Sequence, residues 1–376
     1  MNFELLTPKE MAEADRLAIA HGPFDGIGLM RNAGAAVAAV VLERFPFRNR
    51  VHVLAGPGNN GGDGYVIARI LHESGVAVSL WSSGTPRDDG DAAAAAAECP
   101  VSRRSLADFD AGAEDLIVDA LYGAGLSKPL ADDAARAVSL AAARRLPVIA
   151  VDLPSGVSGE SGMVLGSAFQ AAVTVTFARK KPGHLLLPGR ALCGEVVVAD
   201  IGIAASVIVS LAVDTFENQP ALWRQAFPSL DVDTHKYRRG HVGVFSGGAT
   251  STGAARLSAL AAARAGAGAV TVLAPGSALA VHAMHLTSIM LRKVEDVAEF
   301  AAVLGEGRSS AFVLGPGFGV GEKARDLALA VLAAGDRLGE PAAVGWFSML
   351  TASPLFVKRR NGCSRLLPVP VPPRWC

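Results

Sequence analysis

Val51-His52-Val53-Leu54-Ala55-Gly56-Pro57-Gly58-Asn59-Asn60-Gly61-Gly62-Asp63-Gly64 carries an apolar run into a glycine-rich loop, and a helical pattern over 65–71 follows. A strand that turns through glycines into a helix is the repeating unit of parallel α/β sheets, and nucleotide or phosphate ligands collect at that turn. Glycines let the backbone come close to a ligand. Amides at a helix N-terminus face an anion along the helix dipole. Asn59, Asn60 and Asp63 add donors and acceptors that a bare glycine loop lacks, enough to read a polar ligand and to offer oxygens to a hard cation. Taken alone, the stretch is equally readable as a tight Gly/Asn turn. Its surroundings decide.

Apolar runs recur at 76–81, 116–121, 147–153, 171–178 and 195–203, with helical patterns such as 132–145 between them. That alternation predicts βαβ units and a parallel sheet covered on both faces. Thr7-Pro8-Lys9-Glu10 predicts a capped helix over about 8–20. Three strand ends carry polar groups with glycines: the Asn59 to Asp63 loop, the stretch from Asp119 to Pro129, and Asp152-Leu153-Pro154-Ser155-Gly156. One aspartate at a strand end is often only a cap. Three at one sheet edge point to a site, because ligands on such sheets bind beyond the carboxyl ends of the strands.

From 214 to 233 the strand periodicity stops and Asn218-Gln219-Pro220 suggests a linker. A second α/β pattern follows. Lys236-Tyr237-Arg238-Arg239-Gly240 leads into a strand over 242–246, then a glycine loop opens an alanine-rich helix ending at 264, and 270–274 is the next strand. Val313-Leu314-Gly315-Pro316-Gly317-Phe318-Gly319 repeats the strand-to-glycine-loop device.

A chain of 376 residues favours two domains. Lys plus Arg and Asp plus Glu balance at 35 each, so no basic field argues for nucleic acid. The longest oily stretch, 201–213, is too short to cross a bilayer, and the N-terminus predicts no secretory signal. Four scattered cysteines without CxxC spacing fit a reducing, cytoplasmic setting and offer no metal cluster.

Together these motifs resemble the NAD(P)H-hydrate repair enzymes, in which an epimerase domain is fused to an ADP- or ATP-dependent dehydratase domain. The resemblance runs over about 4–334 and also takes in Lys181-Pro182-Gly183-His184 and Thr252-Gly253-Ala254-Ala255. It implies a Rossmann-like three-layer α/β epimerase domain over 1–215, a linker over 216–233, and the N-terminal part of a ribokinase-like α/β dehydratase domain over 234–340. It further implies that NADH hydrate or NADPH hydrate is held by Asn59, Asn60, Gly61, Gly62 and Asp63, by Gly123, Ala124, Gly125, Leu126, Ser127, Lys128 and Pro129, and by Asp152. A potassium ion is implied between Asn60, Asp119 and Ser155. In the second domain Gly253, Ala254, Gly315 and Gly319 are implied to bind substrate.

The implied reaction interconverts R and S hydrates at C6 of the damaged nicotinamide ring. Asp152 is the first candidate for acid/base work, since burial at a strand end would tune its carboxyl. Lys181 is the second, although from the residues alone it reads as a solvated loop lysine. The family's later Val-Leu-Asp-Ala-Asp, Thr-Pro-His-Pro-Gly-Glu and Gly-Gly-Thr-Gly-Asp segments do not occur, so the ADP or ATP site and dehydratase activity are expected to be missing. Degenerate codons for Trp346 to Ser353, read from the third base, permit Val-Leu-Asp-Ala-Asp-Gly-Leu. The stretch 341–376 is therefore expected to be a non-homologous, frameshifted tail. The alternative is a non-catalytic dinucleotide-binding or scaffold module, which loss of the cation-binding acids would mark. Homo-oligomerisation is left open.

Overall fold

Val51–Ala55 forms β1, buried along its whole length, in a computed structural model that describes residues 3–46, 49–86, 90–226, 234–236, 238–315, 317–319 and 321–335. The chain divides into two units, Met1–Ala226 and Phe227–Cys376.

The first unit opens with α1 (Pro8–His21) and α2 (Gly26–Arg44) ahead of β1. Then follow α3 (Asn59–Glu73), β2 (Val78–Ser82), α4 (Asp91–Glu98), β3 (Arg103–Ser105), β4 (Leu116–Ala120), α5 (Asp132–Arg144), β5 (Val148–Val151) and β6 (Val173–Phe177). It closes with α6 (Gly189–Leu192), β7 (Glu195–Ala199), α7 (Ala205–Ser210) and α8 (Pro220–Trp223). The strands form one parallel sheet in the order β3-β2-β1-β4-β5-β6-β7. Side chains alternate across it. Val51, Val53 and Ala55 enter the core formed with α2 and α3, while Leu54, Ile117 and Val148 enter the core formed with α5. That makes three layers, with β1, β4 and β5 adjacent at the centre. Leu54 pairs with Asp119 and Asp119 with Ala150, so the three polar strand ends leave the sheet side by side.

Local chemistry explains most boundaries. Thr7 and Glu10 form the capping box that starts α1. β2 begins at Val78 because the Val76 N–H is taken by Leu71 O as α3 closes. β7 stops at Ala199 ahead of a turn in which Gly202 has φ +99° and donates its N–H to Asp200. The loop expected over 59–64 is not a loop: α3 already starts at Asn59. The expected linker also begins within the first unit, where Phe216 bridges Glu4 and the Leu5 N–H donates to Thr215 O. Helix α2 is long and apolar enough by composition to cross a membrane, and at 19 residues it outruns 201–213, the longest oily stretch read from the sequence. In the fold, its Leu29, Ala33, Val37 and Val41 are buried against the sheet.

The second unit contains β8 (His241–Phe245), α9 (Gly253–Arg264), β9 (Ala269–Ala274), α10 (Gly276–Ala283), β10 (Met290–Lys293), α11 (Val297–Gly305), β11 (Ala311–Val313) and α12 (Glu322–Gly335). Its sheet is parallel, in the order β10-β9-β8-β11. Phe245, Phe300 and Phe312 pack edge to face or tilted beneath Leu327. The expectations for residues 341–376 lie outside the described residues.

Candidate active site

Asp152 follows β5 directly and is held at φ +65°, in the left-handed region that a non-glycine residue enters at a cost. Its carboxylate is fully engaged on one side. Oδ2 accepts from the Ala124 N–H at 2.9 Å; Oδ1 accepts from Thr176 Oγ1 at 2.9 Å and from Lys181 Nζ at 2.6 Å. Lys181 is 1% exposed, and Nζ also donates to Thr176 Oγ1 at 2.9 Å. The solvated loop lysine read from sequence is therefore a buried ion-pair partner. Burial alone would push the Asp152 carboxyl up, but the Lys181 ammonium and its hydrogen bond outweigh burial and hold it at about 2. This corrects the expectation that burial tunes Asp152: it stands as a carboxylate.

His184 ties the pair together. The Lys181 backbone N–H donates to its Nδ1 at 2.9 Å, which leaves Nε2 as the N–H donor to Asp152 O at 2.7 Å. Burial, followed by the Lys181 charge, holds the ring down at about 4, so it is neutral. Nothing in the sequence beyond its place three residues after Lys181 marked it for this role.

A cavity of about 700 Å³ opens over the pair, a volume usual for small-molecule sites. Met11, Asp15 and Ile19 of α1 form one part of its lining, Gly58, Asn59, Asn60 and Asp63 at the start of α3 another, and the loop from Leu121 to Pro129 a third. The first N–H groups of α3 have no partner inside the helix and are available to an anionic ligand. A Cβ on Gly123 would sit 2.9 Å from Asp152 Oδ2 and 3.0 Å from Asn60 Oδ1, so any other residue there would have to displace one of those side chains. Gly61 and Gly62 lie behind, in the packing: a Cβ on Gly61 would stand 1.8 Å from Gly56 O, and one on Gly62 2.6 Å from Met30.

Three further carboxyls line the cavity, those of Asp15, Asp63 and Asp91. Asp63 is 9% exposed, and burial, then Asp152 and Asp15, raise it well above the usual range. Asp15, which the sequence reading passed over, is raised to about 6 by burial, with Lys181 opposing. Its signal was present: it is an acid placed between the buried positions Met11, Ala14 and Ala18 of one helix.

Asp119 and Ser155 are wholly buried beneath the cavity. Asp119 accepts from Ser155 Oγ at 2.6 Å, from Ser155 N–H at 2.7 Å and from Leu121 N–H at 3.3 Å. Burial raises its carboxyl to about 6, and no cationic side chain is among the groups that shift it. Ser155 Oγ also lies 3.1 Å from Tyr122 O. Asn60 Oδ1 receives no hydrogen bond among the described residues, and its Nδ2 is buried without a partner. An unneutralised carboxylate with hydroxyl, amide and carbonyl oxygens fits a monovalent cation. Among the described residues, no group of three or more His, Cys, Asp or Glu side chains is arranged for a metal ion.

In the second unit the two glycine loops meet. A Cβ on Gly247 would stand 2.0 Å from Gly317 O, and one on Gly317 would be 3.8 Å from Ala254 Cβ. Gly315 and Gly319 flank that junction at φ +152° and +94°. Gly253 lines a separate cavity of about 360 Å³ with Arg256, Leu260 and His285.

Residues 26–183 match the family described as YjeF-related protein N-terminus, and residues 242–337 match NAD(P)H-hydrate dehydratase. A bifunctional NAD(P)H-hydrate repair enzyme of Coxiella burnetii is 34% identical over 334 residues, which is 86% of this chain and 67% of that one. Its counterpart in Thermanaerovibrio acidaminovorans is 35% identical, covering 88% of this chain and 68% of that one. An NAD(P)H-hydrate epimerase of Limosilactobacillus fermentum is 35% identical over 206 residues, 53% of this chain and 98% of its own length.

Proposed function

The chain belongs to the NAD(P)H-hydrate repair family, as an epimerase with dehydratase homology behind it, and we propose that its first unit inverts C6 of the hydrated nicotinamide ring. The observation that carries the reading is the buried Asp152–Lys181 pair at a cavity bordered by the start of α3 and the glycine loop. Inversion needs little from the protein. The C6–O bond breaks with its electron pair going to oxygen, the ring nitrogen lone pair makes an iminium, and water adds to the opposite face. Water that adds to a cation becomes strongly acidic, so a weak base suffices. The Asp152 carboxylate takes that proton, and Lys181 keeps Asp152 ionised and fixed in place.

Asn59, Asn60 and Asp63 with the loop from Gly123 to Pro129 hold the dinucleotide in this reading, and Gly61 and Gly62 let α3 pack closely enough to present them. A potassium ion held by Asp119, Ser155 and Asn60 would supply the charge that keeps Asp119 ionised. The free thiols of Cys99 and Cys193 support a cytoplasmic setting. Asp152→Asn keeps the shape and removes the proton acceptor. Its kcat should fall by about a hundredfold or more; a change of only a few-fold with binding intact would remove Asp152 from the role.

A further inference from the structure

We propose that Asp15 of α1 is the catalytic acid of this epimerisation, giving its proton to the departing C6 hydroxyl while the Asp152 carboxylate receives the proton of the returning water. The proposal rests on the epimerase reading above and adds a residue to it. Asp15 lines the same cavity as Asp152 and Lys181. The two carboxyls differ in what holds them. Asp152 accepts from Ala124, Thr176 and Lys181, whereas the Asp15 carboxyl makes no hydrogen bond or ion pair among the described residues. One is locked as an anion beside a cation; the other is free to turn a proton toward a ligand.

An acid/base couple needs two groups whose surroundings separate their proton affinities, one kept protonated and one ionised. Burial raises Asp15 to about 6, against about 2 for Asp152, and a catalytic acid works best when its affinity is near the working pH. Asp63 is also unpaired among the described residues but more than nine-tenths buried, which slows recovery of a spent proton. Asp15 is half-buried and open to water.

The step balances. The Asp15 proton goes to the C6 hydroxyl, the C6–O bond breaks with its pair on oxygen, and water leaves. Water then adds to the other face of the iminium and gives one proton to Asp152. Asp152 loses it readily to solvent, and Asp15 recovers one. The other charged groups on the cavity are Asp63, Asp91, Lys128 and Lys181, while α7, which packs on α1, carries none.

The test measures epimerisation of pure (R)-NADH hydrate by the full chain from pH 5 to 9, with the spontaneous rate subtracted. The wild-type rate should fall as pH rises through about 6, since Asp15 must be protonated. Asp15→Asn should lose about a hundredfold or more in kcat with hydrate binding little changed and that fall abolished, and Asp15→Glu should recover part of the rate. An Asp15→Asn enzyme within a few-fold of wild type, or a wild-type rate flat across pH 6, overturns the role of Asp15 and leaves the epimerase reading standing. A wild-type chain with no epimerisation overturns both. Should Asp15→Asn fail to fold, the wild-type profile and Asp15→Glu decide.

Discussion

Lys181 Nζ lies 2.6 Å from Asp152 Oδ1, and the lysine is 1% exposed. The pair therefore bears on stability as well as on chemistry. Removing one member of a buried pair leaves the other as an uncompensated charge, at a cost of about 3 kcal/mol or more. Lys181→Met should lose about that much in urea unfolding, and adding Asp152→Asn should restore most of it. Asp152 is held at about 2 when folded, below its ordinary value of about 4, so its stabilising contribution is complete above pH 4 and lost as pH falls toward 2. Lys181→Met should flatten that acid limb. An unchanged limb in the variant would mean that other carboxylates produce it.

His184 accepts from the Lys181 N–H and donates to Asp152 O. It positions the pair and does not itself exchange protons, because its ring stays neutral down to about pH 4. His184→Ala should lower kcat by roughly ten- to hundredfold through misplacement of the pair, with the shape of the pH–rate profile above pH 5 unchanged. A shift of the profile near pH 6 would make His184 the titrating group instead.

How far the sequence could be read follows from what each feature depends on. The run 51–55, its glycine turn and the aspartates at 119 and 152 were legible, because β1, β4 and β5 are strands buried along their whole length and read as apolar runs. The start of α3 was not. Gly61, Gly62 and Gly64 are poor helix formers, yet a Cβ at Gly64 would stand 2.8 Å from Ala120 Cβ, so tertiary packing overrides propensity. Lys181 was misjudged for the same reason. Its burial comes from residues far back in the chain: the Gly183 N–H donates to Gly159 O, and a Cβ on Gly183 would be 2.4 Å from Ser158 O. Asp15 was missed because helix periodicity marks the apolar face and says nothing about a cavity at its edge. The strands Arg103–Ser105 and Met290–Lys293 are too short and polar to show a period.

Asp119 is wholly buried with no cationic side chain among the groups that shift it. Potassium should therefore raise the thermal midpoint of the full chain relative to N-methylglucamine at equal ionic strength, as any ligand bound only by the folded state does. Asp119→Asn should be indifferent to the exchange. A wild-type midpoint that does not respond to potassium would mean that Asp119 holds no potassium ion.

If the first unit inverts C6 of the hydrate, the conversion of one epimer into the other shows it. Pure (R)-NADH hydrate is incubated with the full chain, and the appearance of the S form is followed by chromatography against the protein-free rate. Rapid approach to the same R/S mixture from either epimer is expected, with Asp152→Asn about a hundredfold slower or more. Conversion no faster than the protein-free control, or an Asp152→Asn chain as fast as wild type, would contradict it.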